Sequence, residues 1–488
     1  LEAALPELDL LIINQQFVRP LLDEKAVQQL NRLAAKHPNC YFVADMRNIA
    51  DELRGITLKA NVKEAARILD KQNFDARDDE QCREISQQLS SKLQASILLT
   101  RGENGMLYFD RQDFSTVPGI WHDSEIDPVG AGDTAICTFG SALATGAGVS
   151  ESLKLANLAA SVTVRKLYQT GSASPEEIVA LDQDCSYVYH NYLAAHPEKA
   201  RFFDGSRIEV VEDVESKKPP RHVMMDHDGT ISVLREGWED LMVDLMLRCI
   251  AGEALMKLSP DEKGILTDKV NQLISQTTGA PTIVQMEGLV EMVEREGHVK
   301  AEAVKTAEAY KAMYLEDLNR HVEKRIERFR SGELQIGDVT VKGVLGFILS
   351  MKEKGLKLYL ASGTDEEYVI KEAEALGYAK YFEGGIHGAK AGGGSAKRKV
   401  LNQLVNQEGI PAEQIIVIGD GPSEIREGRK FGAICVGVAS DELRRYGINL
   451  HKRERLIRAG AHIIIEDFSQ LDHLEKLLLQ ADQKAAQV

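Results

Sequence analysis

The chain has 488 residues, 43% hydrophobic and 27% charged, with a formal net charge of −16. At about 100–200 residues per domain this makes room for two to four domains, with cores that need no disulfide or metal staple. The acidic balance argues against broad contact with nucleic acid or anionic membrane, and no apolar run reaches the roughly 20 residues of a membrane span.

In chain order, 8–14 and 41–45 read as buried strands flanking a helically spaced 24–36. A short strand at 56–60, a helix at 62–70 and strands at 95–100 and 106–109 follow, then helices at 132–146, 150–166 and 175–195. The text at Leu1 already reads as the middle of a domain, so the sequence is expected to be a piece lacking its natural N-terminus. Residues 204–220 are polar and end in Lys-Lys-Pro-Pro, a linker signal. A strand at 221–225 opens a second region, 236–330 reads as several helices, and strand–helix alternation resumes at 356–361, 414–418, 433–438 and 462–465. The expected fold class is α/β: two Rossmann-like three-layer α/β/α domains with mostly parallel sheets, the second carrying an inserted all-helical cap. The boundaries are 1–200, a linker at 201–220, and 221–488 with the cap at about 236–345. Cysteines 40, 82, 137, 185, 249 and 435 lack CxxC spacing and read as reduced thiols packed in a cytoplasmic protein.

Asp226-His227-Asp228-Gly229-Thr230 follows a hydrophobic strand, and ligands bind at strand ends in parallel sheets. Asp226 is a candidate nucleophile and metal ligand, and Asp228 a candidate metal ligand and proton donor and acceptor. Ser362 ends a second strand, where its hydroxyl suits a phosphate oxygen. Asp420 and Glu424, in Gly419-Asp420-Gly421-Pro422-Ser423-Glu424, end a third and offer hard oxygen ligands that suit Mg²⁺. Lys390, Lys397 and Lys399 each stand where a cation would neutralise this cluster.

This ordered set resembles the haloacid dehalogenase superfamily of phosphatases, over about residues 221–480. Glu424 stands where that family often has Asp, and the usual Lys-Pro is absent. Lys397, just before a predicted helix, is preferred as the family's lysine. The resemblance implies that Asp226 attacks phosphorus to form an aspartyl-phosphate and that Asp228 protonates the leaving oxygen and then activates water. Mg²⁺, Ser362 and the lysine would stabilise the transferring group. It also implies a mobile cap that favours a small phosphorylated metabolite, a sugar phosphate above all, with Glu287 and Gly288 as cap residues that either reach the site or form ordinary helix surface. A sugar phosphomutase, using the same two aspartates, is the alternative.

In the N-terminal part, Asp127-Pro128-Val129-Gly130-Ala131-Gly132-Asp133-Thr134 opens a helix. Its glycines let backbone N–H groups approach phosphate, and Asp133 fits a base that deprotonates a hydroxyl. The string resembles the signature of ribokinase-like, PfkB-type carbohydrate kinases, over about residues 5–195. The resemblance makes Asn61 and Glu64 organisers of Mg²⁺ and phosphate. It places Thr100, Gly102 and Gly105 beside the nucleotide, and Gly130, Ala131 and Gly132 at the phosphates. The wording there and at Asp45-Met46-Arg47 stands closest to sugar kinases, including heptose-phosphate kinases. The part present corresponds to the ATP side, without the sugar-binding residues and lid. ATP is therefore the expected cofactor, with a homodimer as an expected assembly and a nucleotide-binding or dimerisation platform as the non-catalytic alternative. Trp121 and Trp238 read as packing or cap residues, His387 and His462 as surface or core histidines, and 452–458 as a solvated basic helix face.

Overall fold

The computed structural model describes residues 1–17, 21–72, 74–122, 124–214, 218–277, 282–390 and 394–479. They form two compact units, Leu1–Ala195 and His196–Val488.

In the first unit, hydrophobic runs bounded by turn residues become six strands laid side by side in chain order. These are β1 (Leu10–Gln15), β2 (Tyr41–Met46), β3 (Thr57–Asn61), β4 (Ile97–Thr100), β5 (Met106–Phe109) and β6 (Phe114–Val117). β1 to β4 are parallel, and β5 and β6 turn back antiparallel. The period-2 alternation of a strand sends neighbouring side chains to opposite faces. Ile97 and Leu99 therefore join Val27, Ile85 and Leu89 in one core, while Leu98 joins Phe139 and Leu153 in another. Helices cover both faces, giving three layers.

The second unit contributes β7 (Glu209–Val210), β8 (His222–Met225), β9 (Lys357–Asp365), β10 (Ile386–Ala389), β11 (Ile415–Gly419), β12 (Ile434–Val438) and β13 (Ile463–Ile465). Their order in the sheet is β10-β9-β8-β11-β12-β13-β7, parallel throughout except for β7. β8, β11 and β12 are buried almost throughout, as a sheet covered on both faces requires. Between β8 and β9 the helices Trp238–Ala251, Pro260–Thr277, Thr282–Glu296 and the first half of Ala307–Arg330 enclose a core of their own, around Met246, Val270, Met286 and Tyr314. The long helix Ala307–Arg330 belongs to both cores: Tyr310, Tyr314 and Leu318 face the cap, Val322 and Ile326 the base.

Several expectations change. The helix expected over 175–195 is two, Pro175–Asp184 and Asn191–Ala195. Between them Tyr187 bridges Ile120 in antiparallel fashion, and Val188 N–H donates to Gly119 O at 2.8 Å, so sheet-like pairing displaces the helix. The helix Asp79–Leu93 was not anticipated, although Cys82, Ile85, Ser86, Leu89 and Leu93 carry helical spacing and Asp78 caps the first turn. The stretch expected as a linker holds β7, which pairs with β13. Val339, Val341 and Val344, expected within the cap, lie in the base core.

Candidate functional site

β9, β8 and β11 are neighbours at the middle of the second sheet and run in the same direction, so their C-terminal ends share one edge. The first residue past β8 is Asp226, and the first past β11 is Asp420; Ser362 lies near the end of β9. Sheet order thus converts three separate motifs into one site.

Carboxylate oxygens of Asp226, Asp420 and Glu424 lie within 4.8 Å of one another. Asp226 and Glu424 are buried and Asp420 half-buried. Lys397, on the first turn of the helix Ala396–Asn402, approaches Asp226 Oδ1 at 3.2 Å and Glu424 Oε2 at 2.5 Å. Glu424 Oε1 accepts from Gly421 N–H at 2.6 Å, which fixes the carboxylate at the start of its helix. Burial pushes Asp226 well above the ordinary carboxylate range; Lys397 opposes this, and Glu424, Asp420 and Asp228 add to it. The three carboxylates outnumber the two ammonium groups that reach them, Lys397 at Asp226 and Glu424 and Lys452 at Asp420. This donor set fits a divalent cation such as Mg²⁺.

Gly229 takes a left-handed φ of +70°, and a Cβ there would stand 2.2 Å from Asp420 Oδ2. The turn that follows Asp226 therefore admits only glycine beside Asp420.

The Asp228 carboxylate lies outside the Asp226, Asp420 and Glu424 triad, in a second cluster with His227 and Glu372. Thr364 Oγ1 donates to its Oδ2 at 2.8 Å, and Arg235 Nε lies 3.0 Å from Oδ1. Arg235 in turn pairs with the buried Glu372 at 2.6 Å, and His227 Nε2 meets Tyr378 Oη at 2.6 Å. Burial would raise Asp228, but Arg235 and His227 outweigh it and hold the group well below the usual range. Ser362 is buried, and its Oγ accepts from Thr364 N–H at 3.0 Å. Of the other lysines considered, Lys390 pairs with Glu366 at 2.9 Å on the surface and Lys399 is exposed. Residues 391–393 of the glycine-rich stretch before Lys397 lie outside the described residues. Glu287 is exposed on its cap helix, and Gly288 makes room for Leu273, so helix packing accounts for that glycine.

The basic helix face needs a correction. Lys452 pairs with Asp420 at 2.8 Å and Glu442 at 2.5 Å, and Arg453 is buried against Glu209. Sequence reasoning also missed Arg235, Thr364 and Glu372. The signal for Lys452 and Arg453 was there, in charges on the inner side of a helix between two strands.

In the first unit the parallel strands likewise end at one edge, with Asn14 paired in register to Asp45 and Asn61 to Thr100. Asp133 sits on the first turn of the helix Ala131–Ala144, and its Oδ1 accepts from Asn14 Nδ2 at 2.7 Å. Gly130 is that helix's N-cap, with φ +83°. Lys59, not singled out from sequence, is buried with its ammonium 2.6 Å from Asp45, and a Cβ on Gly132 would stand 2.8 Å from that ammonium. Asn61 and Glu64 form a reciprocal capping box, at 3.0 and 2.8 Å, which gives both a structural task at the helix start. Thr100 Oγ1 reaches Ala60 O at 3.5 Å. Gly102 and Gly105 both have positive φ; at Gly105, φ +80°, a Cβ would fall 2.0 Å from Val117 O. Gly105→Ala is therefore expected to lower the first unit's stability by more than about 2 kcal/mol, read as a shift in urea midpoint.

Family models agree with this division. Residues 1–176 match the pfkB family of carbohydrate kinases, and residues 220–432 match haloacid dehalogenase-like hydrolases. Among curated proteins, the chain is 27% identical over 230 residues to the Bifunctional protein HldE of Nitratiruptor sp., covering 45% of this chain and 46% of that one. It is 38% identical over 104 residues to that of Geobacter sulfurreducens, covering 21% of each. The chain thus spans about half or less of the length of these relatives. A β-phosphoglucomutase structure from Clostridium difficile aligns at 14% identity and a TM-score of 0.35, over 53% of this chain and 97% of that one. The chain joins an N-terminal PfkB-type, ribokinase-like domain to a C-terminal domain of the haloacid dehalogenase superfamily.

Proposed function

We propose that the C-terminal unit hydrolyses a small phosphorylated metabolite, a sugar phosphate in the first instance, and that the N-terminal unit is the ATP-side part of a carbohydrate kinase. The observation that carries the first reading is the convergence of Asp226, Asp420, Glu424 and Lys397 at the ends of adjacent parallel strands. Asp226 acts as nucleophile and accepts the phosphoryl group as an aspartyl-phosphate. Lys397 and the Ser362 hydroxyl hold the phosphoryl oxygens, and Asp228 manages the proton. Held anionic by Arg235, Asp228 is ready to take a proton from water in the second step; to give one to the leaving oxygen in the first, it must separate from Arg235. A divalent cation held by Asp226, Asp420 and Glu424 supplies positive charge that keeps Asp226 ionised and offsets charge on the transferring group. The cap, with a core of its own, is suited to closing over a small substrate and excluding water.

In the N-terminal unit, Asp133 and the backbone around Gly130, Ala131 and Gly132 support ATP-dependent phosphorylation of a hydroxyl, with Lys59 close to the same loop.

The test is phosphate release from a panel of sugar phosphates in Mg²⁺, repeated after EDTA treatment and Mg²⁺ restoration. Release is expected to fall at least about a hundredfold with EDTA and to return with Mg²⁺. Release indifferent to metal removal overturns the mechanism. Turnover that needs a bisphosphate activator and frees no phosphate moves the assignment to a phosphomutase.

A further inference from the structure

The acidic triad already carries one cation that the proposed reaction does not use. Lys452 Nζ lies 2.8 Å from Asp420 Oδ2 and 2.5 Å from Glu442 Oε1, with all three side chains mostly buried. Lys397 covers the other end of the triad, at Asp226 and Glu424. The two lysines thus reach different carboxylates. Gly229 lies beside Asp420 on the β8 side, where any side chain would collide with that carboxylate.

The lysine's backbone is fixed as well. Asn449 caps the helix Leu450–Ala459 by accepting from Lys452 N–H at 3.1 Å, and the next residue, Arg453, is bound to the buried Glu209 at 2.6 Å. The long lysine side chain sits between two acceptors, Asp420 and Glu442. A divalent ion at Asp420 and an ammonium on the same carboxylate repel each other, and mostly buried charges are poorly screened.

We propose that Lys452 is a built-in competitor of the divalent cation at Asp420, and that Glu442 is the acceptor that keeps the ammonium when the metal enters. This rests on the reading of Asp226, Asp420 and Glu424 as the metal site. Lys452 is then a positioning residue that sets metal affinity. It keeps Asp420 neutralised in the metal-free protein and weakens metal binding in return. Glu442 acts in the opposite sense, by lowering the cost of moving the lysine aside.

The experiment uses the full chain with Mn²⁺ as probe, free Mn²⁺ read by its EPR signal, at pH 8 without substrate. Wild type is expected to bind an ion that Asp226→Asn loses. Lys452→Met is expected to bind it roughly tenfold more tightly, and Glu442→Gln several-fold more weakly. These opposite signs separate competition from a structural role, which would weaken binding in both variants. Weaker or unchanged binding in Lys452→Met, with the Asp226 dependence intact, overturns the proposal and leaves the metal site standing. Binding that is absent from every variant, or indifferent to Asp226→Asn, overturns the metal site and the proposal together. If Lys452→Met fails to fold by circular dichroism, Glu442→Gln decides alone: affinity equal to or tighter than wild type overturns the competition.

Discussion

Asp226→Asn is expected to abolish phosphate release, by on the order of 10³-fold or more, and to leave the protein folded. The amide has the size of the carboxylate but no electron pair basic enough to attack phosphorus, so the step that forms the covalent intermediate is lost. Stability survives for a separate reason. Burial and the neighbouring Glu424 and Asp420 disfavour a charged Asp226, so a neutral side chain relieves an unfavourable interaction. Lys397 keeps Glu424 as its partner at 2.5 Å. The check is a phosphate-release assay beside a thermal melt. Activity within tenfold of wild type in the variant would remove Asp226 from the role of nucleophile. An unfolded variant would show instead that the carboxylate holds the strand end together.

The second large effect lies in an ion pair outside the carboxylate triad. Arg453 and Glu209 form a two-pronged pair, at 2.7 and 2.6 Å, with both side chains nearly inaccessible to solvent. Removing one partner strands a buried charge, which costs about 3–5 kcal/mol. Arg453→Met and Glu209→Gln are each expected to lower the melting temperature of the second unit by many degrees. The double variant is expected to recover part of that loss, because no lone charge remains. A single variant that melts with wild type would mean that water reaches the pair. The same reasoning applies to a truncation at Arg221, which removes β7 and Glu209 together, uncovers the edge of β13 and takes the Glu209 carboxylate away from Arg453.

How far the sequence disclosed this protein depended on the distance between cooperating residues. Ten of the thirteen strands among the described residues were readable because an apolar run bounded by turn residues is a local signal, clean at β1, β2, β8 and β11; β6, β7 and β10, short and less apolar, were not read. Asp226, Ser362 and Asp420 were readable for a related reason, since each follows or ends such a run. Lys397 was reached through its place beside a helix start and by likeness to a family. What stayed hidden was pairing at long range. Arg453 meets Glu209 across 244 positions, Thr364 meets Asp228 across 136, and Arg235 meets Glu372 across 137. No local pattern encodes such partners; only the strand order brings them together. Lys452 illustrates the cost, because its basic neighbours suggested a solvated face while the fold turned that lysine toward Asp420. In the first unit, the capping box at Asn61 and Glu64 shows the converse: a motif noticed for its chemistry also has a local task at a helix start.

The helix Ala307–Arg330 has its first half in the cap core and its second half in the base core. At 1.5 Å per residue it is a rod of roughly 36 Å. The cap's two connections to the base are therefore unequal. One passes through Gly237, whose φ of +82° marks a sharp bend, and the other is unbroken helix. Melting the cap would unwind half of a cooperative element whose remaining turns hold Val322 and Ile326 in the base. The two cores thus share one fate in unfolding. A lesion in the cap, though distant from Asp226, reaches the sheet that carries the aspartate as lost stability.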